Sequence, residues 1–161
     1  MSYVSTKEYK DLGPVAYRQW RADSHCNLIH GYSLSFKFFF AAYDLDFRNW
    51  VVDYGSLKSL KDKLNDWFDH TLLVAEDDPE IETFKLLGEK KLAKLVFVEK
   101  TGCEGLAKFL YDYVNEIWLP ENGYKPRCKC FRVEVRETES NMAWFDDREP
   151  IKTCDCNCKG V

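Results

Sequence analysis

The chain has 161 residues, of which 45% are hydrophobic, 16% aromatic and 31% charged. That length suits one domain, and that balance excludes a disordered polymer. A net charge of −4 excludes a chain-wide basic surface, and with it non-specific nucleic-acid binding.

Residues 1–16 read as a lead-in that ends near Gly13-Pro14. No apolar run follows a basic start, so no signal peptide is expected. In residues 33–40, Leu34, Phe36, Phe38 and Phe40 alternate onto one face, the period of a strand. Asp44 to Asn49 reads as a turn, and Trp50-Val51-Val52-Asp53-Tyr54 as the returning strand of an antiparallel hairpin. The longest apolar stretch, Phe38 to Tyr43, falls far short of a membrane span.

Leu57, Leu60, Leu64, Trp67 and Phe68 recur at helical spacing, with Ser56 as N-cap and an end near Asp69-His70. Residues 71–100 read as an insert. Within it Asp77-Asp78-Pro79 starts a short helix through Ile81, Phe84 and Leu87, and Leu95 to Val98 makes a short strand. Residues 102–118 form an amphipathic helix whose stripe is Leu106, Phe109, Leu110, Tyr113, Val114 and Ile117. Residues 129–137 alternate again, with Phe131, Val133 and Val135 on one face, and residues 141–146 close the sheet. The expected fold is α+β, one domain over 1–161, with an antiparallel sheet of two hairpins and two helices packed on one face.

Seven cysteines, an odd number, fit free thiols in a reducing compartment, so a soluble cytoplasmic protein is expected. Cys154, Cys156 and Cys158 in the 150–161 tail have two readings. One is a mobile thiol-bearing segment; the other is a second soft-metal site with Cys128 and Cys130.

The three histidines lie beside cysteine, aspartate or glycine, and none falls on a helical apolar stripe. His25 abuts Cys26, His30 precedes Gly31 and Tyr32, and His70 follows Asp69. Imidazole with a thiol serves both zinc sites and proton transfer. On a strand, His30 and Tyr32 point to one side. Glu137 continues the face of Val133 and Val135. It is either an exposed residue beyond the strand or an inward carboxylate able to accept two parallel hydrogen bonds from a guanidine-like ring edge. Thr101 and Glu104 read as a capping box, as pocket residues, or as both.

Together these segments resemble the 6-pyruvoyl- and 6-carboxytetrahydropterin synthase family, from about Tyr17 to Asp146. The matching motifs are Cys26-x-x-x-His30-Gly31, Trp50-Val51-Val52-Asp53-Tyr54-x-x-Leu57-Lys58, Phe68-Asp69-His70, Thr101-x-x-Glu104-x-Leu106-Ala107 and Val135-x-Glu137-Thr138. The resemblance implies a tunnelling fold, assembled as a homohexamer (a dimer of trimers) around a barrel, with active sites between subunits. It also implies a lyase acting on a reduced pterin, 7,8-dihydroneopterin triphosphate. The expected products are triphosphate, 6-carboxytetrahydropterin and acetaldehyde, on the route to 7-deazaguanines and queuosine. The alternatives are 6-pyruvoyltetrahydropterin synthesis and a pterin- or purine-binding homologue without that catalysis.

By the same resemblance Cys26, Asp69 and His70 are catalytic, and Glu137, Glu104 and Thr101 bind substrate. Zinc would be held by His25, His30 and Tyr32 or waters. Tyr32 stands where the family has the second histidine of His-Gly-His, and His25 lies in a ligand segment of altered length. The alternative is no metal and another way of polarising the substrate.

Overall fold

The computed structural model describes residues 2–10 and 12–147, so the tail cysteines Cys154, Cys156 and Cys158 lie outside the described residues. Two four-stranded sheets carry the fold. The first has the order β1-β4-β7-β8, all antiparallel, from Tyr3–Tyr9, Ser35–Ala42, Cys128–Arg136 and Met142–Asp146. The second has the order β3-β2-β5-β6, from His30–Tyr32, Val15–Tyr17, Thr71–Ala75 and Lys94–Val98. Here β2 pairs antiparallel with β3 and parallel with β5, and β5 pairs parallel with β6. Helices α1 (Leu57–Phe68), α2 (Ile81–Glu89) and α3 (Cys103–Tyr113) complete the frame. Among the described residues no helix is long and apolar enough to cross a membrane.

The main core follows the periodicity of the chain. Phe36, Phe38 and Phe40 of β4 and Val133 and Val135 of β7 face Leu57, Leu60, Leu64 and Phe68 of α1 and Leu106 and Leu110 of α3. Each such side chain contributes about 1.5–3 kcal/mol by leaving water. A smaller core, Leu72, Val74 and Phe84, lies beneath α2. Strand β5 is buried at all five residues, with Leu73 in the main core and Leu72 and Val74 in the smaller one. A strand covered on both faces has no polar alternation, which is why residues 71–75 do not read as a strand.

Three expectations are corrected. The partner of β4 is β1, within the segment read as a lead-in, and not Trp50–Tyr54. Val51 and Val52 are both buried, which strand alternation does not allow on a one-sided sheet. Their backbone is instead held by Arg127, whose guanidinium donates to the carbonyls of Asp44, Trp50 and Val51. The Asp46 carboxylate closes the turn by accepting from the N–H groups of Arg48 and Trp50. Ser56 does not cap α1 with its side chain. Its hydroxyl donates to Asp53 O at 2.7 Å and lies 2.6 Å from the Tyr124 hydroxyl.

The third correction is in β7. The ladder slips between Phe39 and Phe40, which pair with Arg132 and Cys130. Phe131 is therefore the extra residue of a β-bulge, and it packs on Phe39 of the outer face, with ring centroids 5.9 Å apart. The bulge is seated on a π-turn, Val114–Trp118, that continues α3. Asn115 in that turn accepts from Cys130 N at 3.0 Å and donates to Cys130 O at 2.7 Å. One amide side chain thus satisfies both backbone groups beside the bulge.

The stretch read as an insert is tied to the second sheet by Arg18, which directly follows β2. Its guanidinium donates to both Asp78 oxygens, at 2.8 and 2.6 Å, and the Asp78 side chain is only 2% exposed. The Arg18 hydrogen bond holds the Asp78 carboxyl below the usual carboxylate range.

Two stability outcomes are expected. Asn115→Ala leaves the N–H and C=O of Cys130 unpaired, and urea unfolding should show a loss of about 1–3 kcal/mol. Asp78 ionises more readily folded than unfolded, so its stabilisation is complete above about pH 4 and is lost as pH falls through the lower folded value. Asp78→Asn should weaken the fold near neutral pH and flatten the acid limb of stability against pH, read by thermal melts across pH 2–7.

Candidate active site

The β2–β3 pairing builds one wall of a cleft. Tyr17 lies opposite His30, Ala16 opposite Gly31 and Val15 opposite Tyr32, so the side chains of Tyr17, His30 and Tyr32 share a face. Their rings touch, with centroids 5.7 Å apart for Tyr17 and His30, 5.6 Å for Tyr17 and Tyr32, and 5.2 Å for His30 and Tyr32. Cys26 reaches the same cleft from a 3-10 turn, His25–Asn27, whose N-cap Ser24 accepts from Cys26 N. Gln19 N donates to Cys26 O at 2.8 Å and pins that turn to the end of β2.

The opposite wall comes from the start of α3 and the end of β7. Glu104, Cys103 and Glu137 line the cleft together with Gln19, Asn141, Met142 and Ala143. The Tyr17 hydroxyl donates to Glu137 Oε1 and so links the two sheets. Glu137 is thus an inward carboxylate, as the face of Val133 and Val135 suggests. The cleft is open, with a volume of about 220 Å³. A larger groove, about 760 Å³, runs along α1 and α3 and carries Glu104 but no thiol or imidazole.

Burial pushes the Cys103 thiol up to about 12, with the charges of Glu137 and Glu104 and a hydrogen bond to Glu137 adding to the rise. Burial also raises the Tyr17 hydroxyl, followed by its bond to Glu137. Tyr32 rises by burial first and then by the charge of Glu137. Glu137 is therefore flanked by three groups, Tyr17, Tyr32 and Cys103, that burial and its charge keep protonated.

Four residues named from sequence lie elsewhere. Thr101 is buried beside the cleft, and its hydroxyl donates to Arg18 O at 2.8 Å. That bond draws it away from α3, whose N-cap is Gly102 with no side-chain cap, so no capping box forms. Gly102 has φ +89°, and a Cβ there would stand 2.0 Å from Gln19 Nε2; only glycine lets Gln19 lie against the helix start. His25 is exposed in its turn and does not line the cleft. Asp69 and His70 form a pair of their own, with Nδ1 2.6 Å from Asp69 Oδ1. His70 N donates to Pro14 O at 2.8 Å, and the imidazole is 79% exposed at the surface.

The zinc set expected from the resemblance does not fit these residues. His25 does not line the cleft that holds His30 and Tyr32, and among the described residues no three His, Cys, Asp or Glu side chains gather to hold a metal ion. Tyr32 would have to ionise to serve as a strong ligand, against the burial that holds its proton.

Tyr17, Gln19 and Cys103 are cleft residues that sequence reasoning passes over. Three residues of β2 are too few for a period, and Cys103 is read only as filler between Thr101 and Glu104. Its place inside that helix-start motif is the one signal that points to it.

Comparison with known proteins bears on the family and the fold. Residues 14–148 match the family model described as 6-pyruvoyl tetrahydropterin synthase. The 6-carboxy-5,6,7,8-tetrahydropterin synthase of Aquifex aeolicus (strain VF5) is 27% identical over 124 residues, 76% of this chain and 76% of that one. An uncharacterized protein of Wolinella succinogenes superimposes with a TM-score of 0.76 at 18% identity, covering 92% of this chain and 99% of that chain. The 6-pyruvoyl tetrahydropterin synthase of Caenorhabditis elegans superimposes with a TM-score of 0.58 at 18% identity, covering 91% and 97%. The two solved structures share the α+β tunnelling fold with this chain. On the match across residues 14–148, the chain belongs to the 6-pyruvoyl tetrahydropterin synthase family.

Proposed function

We propose that the cleft binds a reduced pterin through Glu137 and that the chain is a lyase acting on 7,8-dihydroneopterin triphosphate. The observation that carries this is the Glu137 carboxylate facing the cleft that also holds the Cys26 thiol. The adjacent N–H groups of a pterin's guanidine-like edge form a two-pronged donor. A carboxylate has about four lone-pair sites, so Glu137 can hold that edge while accepting from Tyr17. Cys26 then removes a proton from the pterin side chain as triphosphate departs with its bonding electrons, and keto–enol steps follow. Glu104 lines the same cleft and lies near the substrate.

Asp69 and His70 act as the partner acid and base, supplied to the cleft by a neighbouring subunit. Two observations favour this. The pair is preassembled yet exposed outside its own cleft. The cleft of about 220 Å³ also falls short of the roughly 300–1,000 Å³ usual for an enclosed small-molecule site, so a second chain completes the enclosure. The edges of the first sheet, β1 and β8, expose Tyr3, Val4 and Trp144 and offer unpaired backbone for a hexameric barrel built as a dimer of trimers.

The name of the Aquifex relative favours the carboxy branch, in which carbon–carbon cleavage releases acetaldehyde on the way to 7-deazaguanines. Incubation of the purified protein with dihydroneopterin triphosphate should yield acetaldehyde and 6-carboxytetrahydropterin; triphosphate without acetaldehyde rejects that branch in favour of 6-pyruvoyl synthesis. Cys26→Ala should lower turnover about 10²–10⁴-fold with pterin binding retained, and unchanged turnover removes Cys26 as the base. Glu137→Gln should raise KM about 10- to 100-fold through loss of a charged acceptor. Co-refolding of the inactive Cys26→Ala and His70→Ala chains should restore activity in mixed oligomers. Mixtures as inactive as their parents would place both residues' work within one chain.

A further inference from the structure

The disagreement between this cleft and a three-histidine metal site has a consequence for the chemistry, which rests on the lyase reading above. We propose that Tyr32 is a further catalytic residue, whose phenolic O–H polarises an oxygen of the substrate side chain beside the bare Nε2 of His30, so that this chain works without a metal ion.

The geometry rests on the β2–β3 register. His30 and Tyr32 are two residues apart on one strand and share the face of Tyr17. The His30 and Tyr32 rings meet edge to face at 77°, with centroids 5.2 Å apart. His30 Nδ1 lies 2.6 Å from Leu28 O. A carbonyl only accepts, so Nδ1 carries a proton, and in that tautomer Nε2 is the ring's acceptor. A phenol with an ordinary pKa near 10 donates at neutral pH.

The cleft therefore presents a donor and an acceptor side by side, within reach of the Cys26 thiol. That pairing suits a vicinal diol or the hydroxyketone derived from it. Tyr32 donates to the oxygen on which negative charge develops as the neighbouring carbon loses its proton, and His30 accepts from the adjacent hydroxyl. A fixed donor aimed at a developing oxyanion is worth about 10²–10³ in kcat. The ring of Tyr32 is braced against Tyr17, centroids 5.6 Å apart, and the Tyr17 hydroxyl is committed to Glu137. Tyr32 is thus the phenol left to serve the substrate side chain while Glu137 holds the ring edge.

The test combines metal content with kinetics on the full chain. After exhaustive dialysis, elemental analysis should find zinc well below one equivalent per chain, and turnover of dihydroneopterin triphosphate should survive a strong chelator. Tyr32→Phe keeps the ring packing and should lower kcat about 10²–10³-fold with KM unmoved. One retained equivalent of zinc overturns the inference, as does turnover lost to chelator and restored by zinc, or a Tyr32→Phe enzyme with unchanged kcat. A wild-type chain inert toward the pterin removes the lyase reading along with the role of Tyr32. An active wild type indifferent to Tyr32→Phe removes the role of Tyr32 alone.

Discussion

The bidentate pair between Arg18 and Asp78 fixes the strand on which the cleft is built. Strand β2 is three residues long and could not hold its position by ladder bonds alone. Arg18 extends the hold past the end of the strand, to the head of α2 through Asp78 and to the Cys26 turn through Asn27 at 3.3 Å. With Asp78 only 2% exposed, removing one partner leaves a buried charge and costs about 3–5 kcal/mol. The neighbouring pair of Arg21 and Asp77 is mostly in water and contributes about 0–1 kcal/mol. Trp20 Nε1 also donates to Asp77, at 3.0 Å and in an exposed setting, so of the links from this segment to the loop before α2 the buried one decides where Tyr17 and Cys26 stand.

The walls of the cleft have different origins, and this explains how each was legible. Elements with one wet face, β4, α1, α3 and β7, carry their period openly in sequence, and most of their core residues are found where that period puts them. The exceptions are Phe131, displaced by the bulge, and Ile117, which lies exposed in the π-turn that continues α3. Strand β5 is buried on both sides and carries no period to read. The segment Trp50–Tyr54 looks like a strand because it is apolar, but a guanidinium from Arg127 takes the place of a ladder. Such a long-range side-chain bond leaves no mark in local sequence.

The site was legible in the same uneven way. Cys26, His30, Tyr32, Glu104 and Glu137 were singled out by residue type and spacing, and they line one cleft. His25 was singled out by adjacency to Cys26, yet in the 3-10 turn it is exposed and only Cys26 lines the cleft. Asp69 and His70 were singled out as a pair and form one, but pairing says nothing of which cleft they serve. Tyr17 is silent in sequence because its role depends on Glu137, 120 positions away.

The bulge at Phe131 acts on the cleft from a distance, as a phase shifter. In an uninterrupted strand, alternation from Cys128 and Cys130 would turn Arg132, Glu134 and Arg136 inward and leave Glu137 on the far side of the sheet. The single supernumerary residue reverses that parity, so Val133, Val135 and then Glu137 arrive on the inner side. The correction is made six residues upstream, about 20 Å along the strand, and is locked by Asn115 from a different element. The orientation of the ligand-facing carboxylate is thus a counting property of β7: loss or gain of one residue there would invert it without touching any side chain of the cleft.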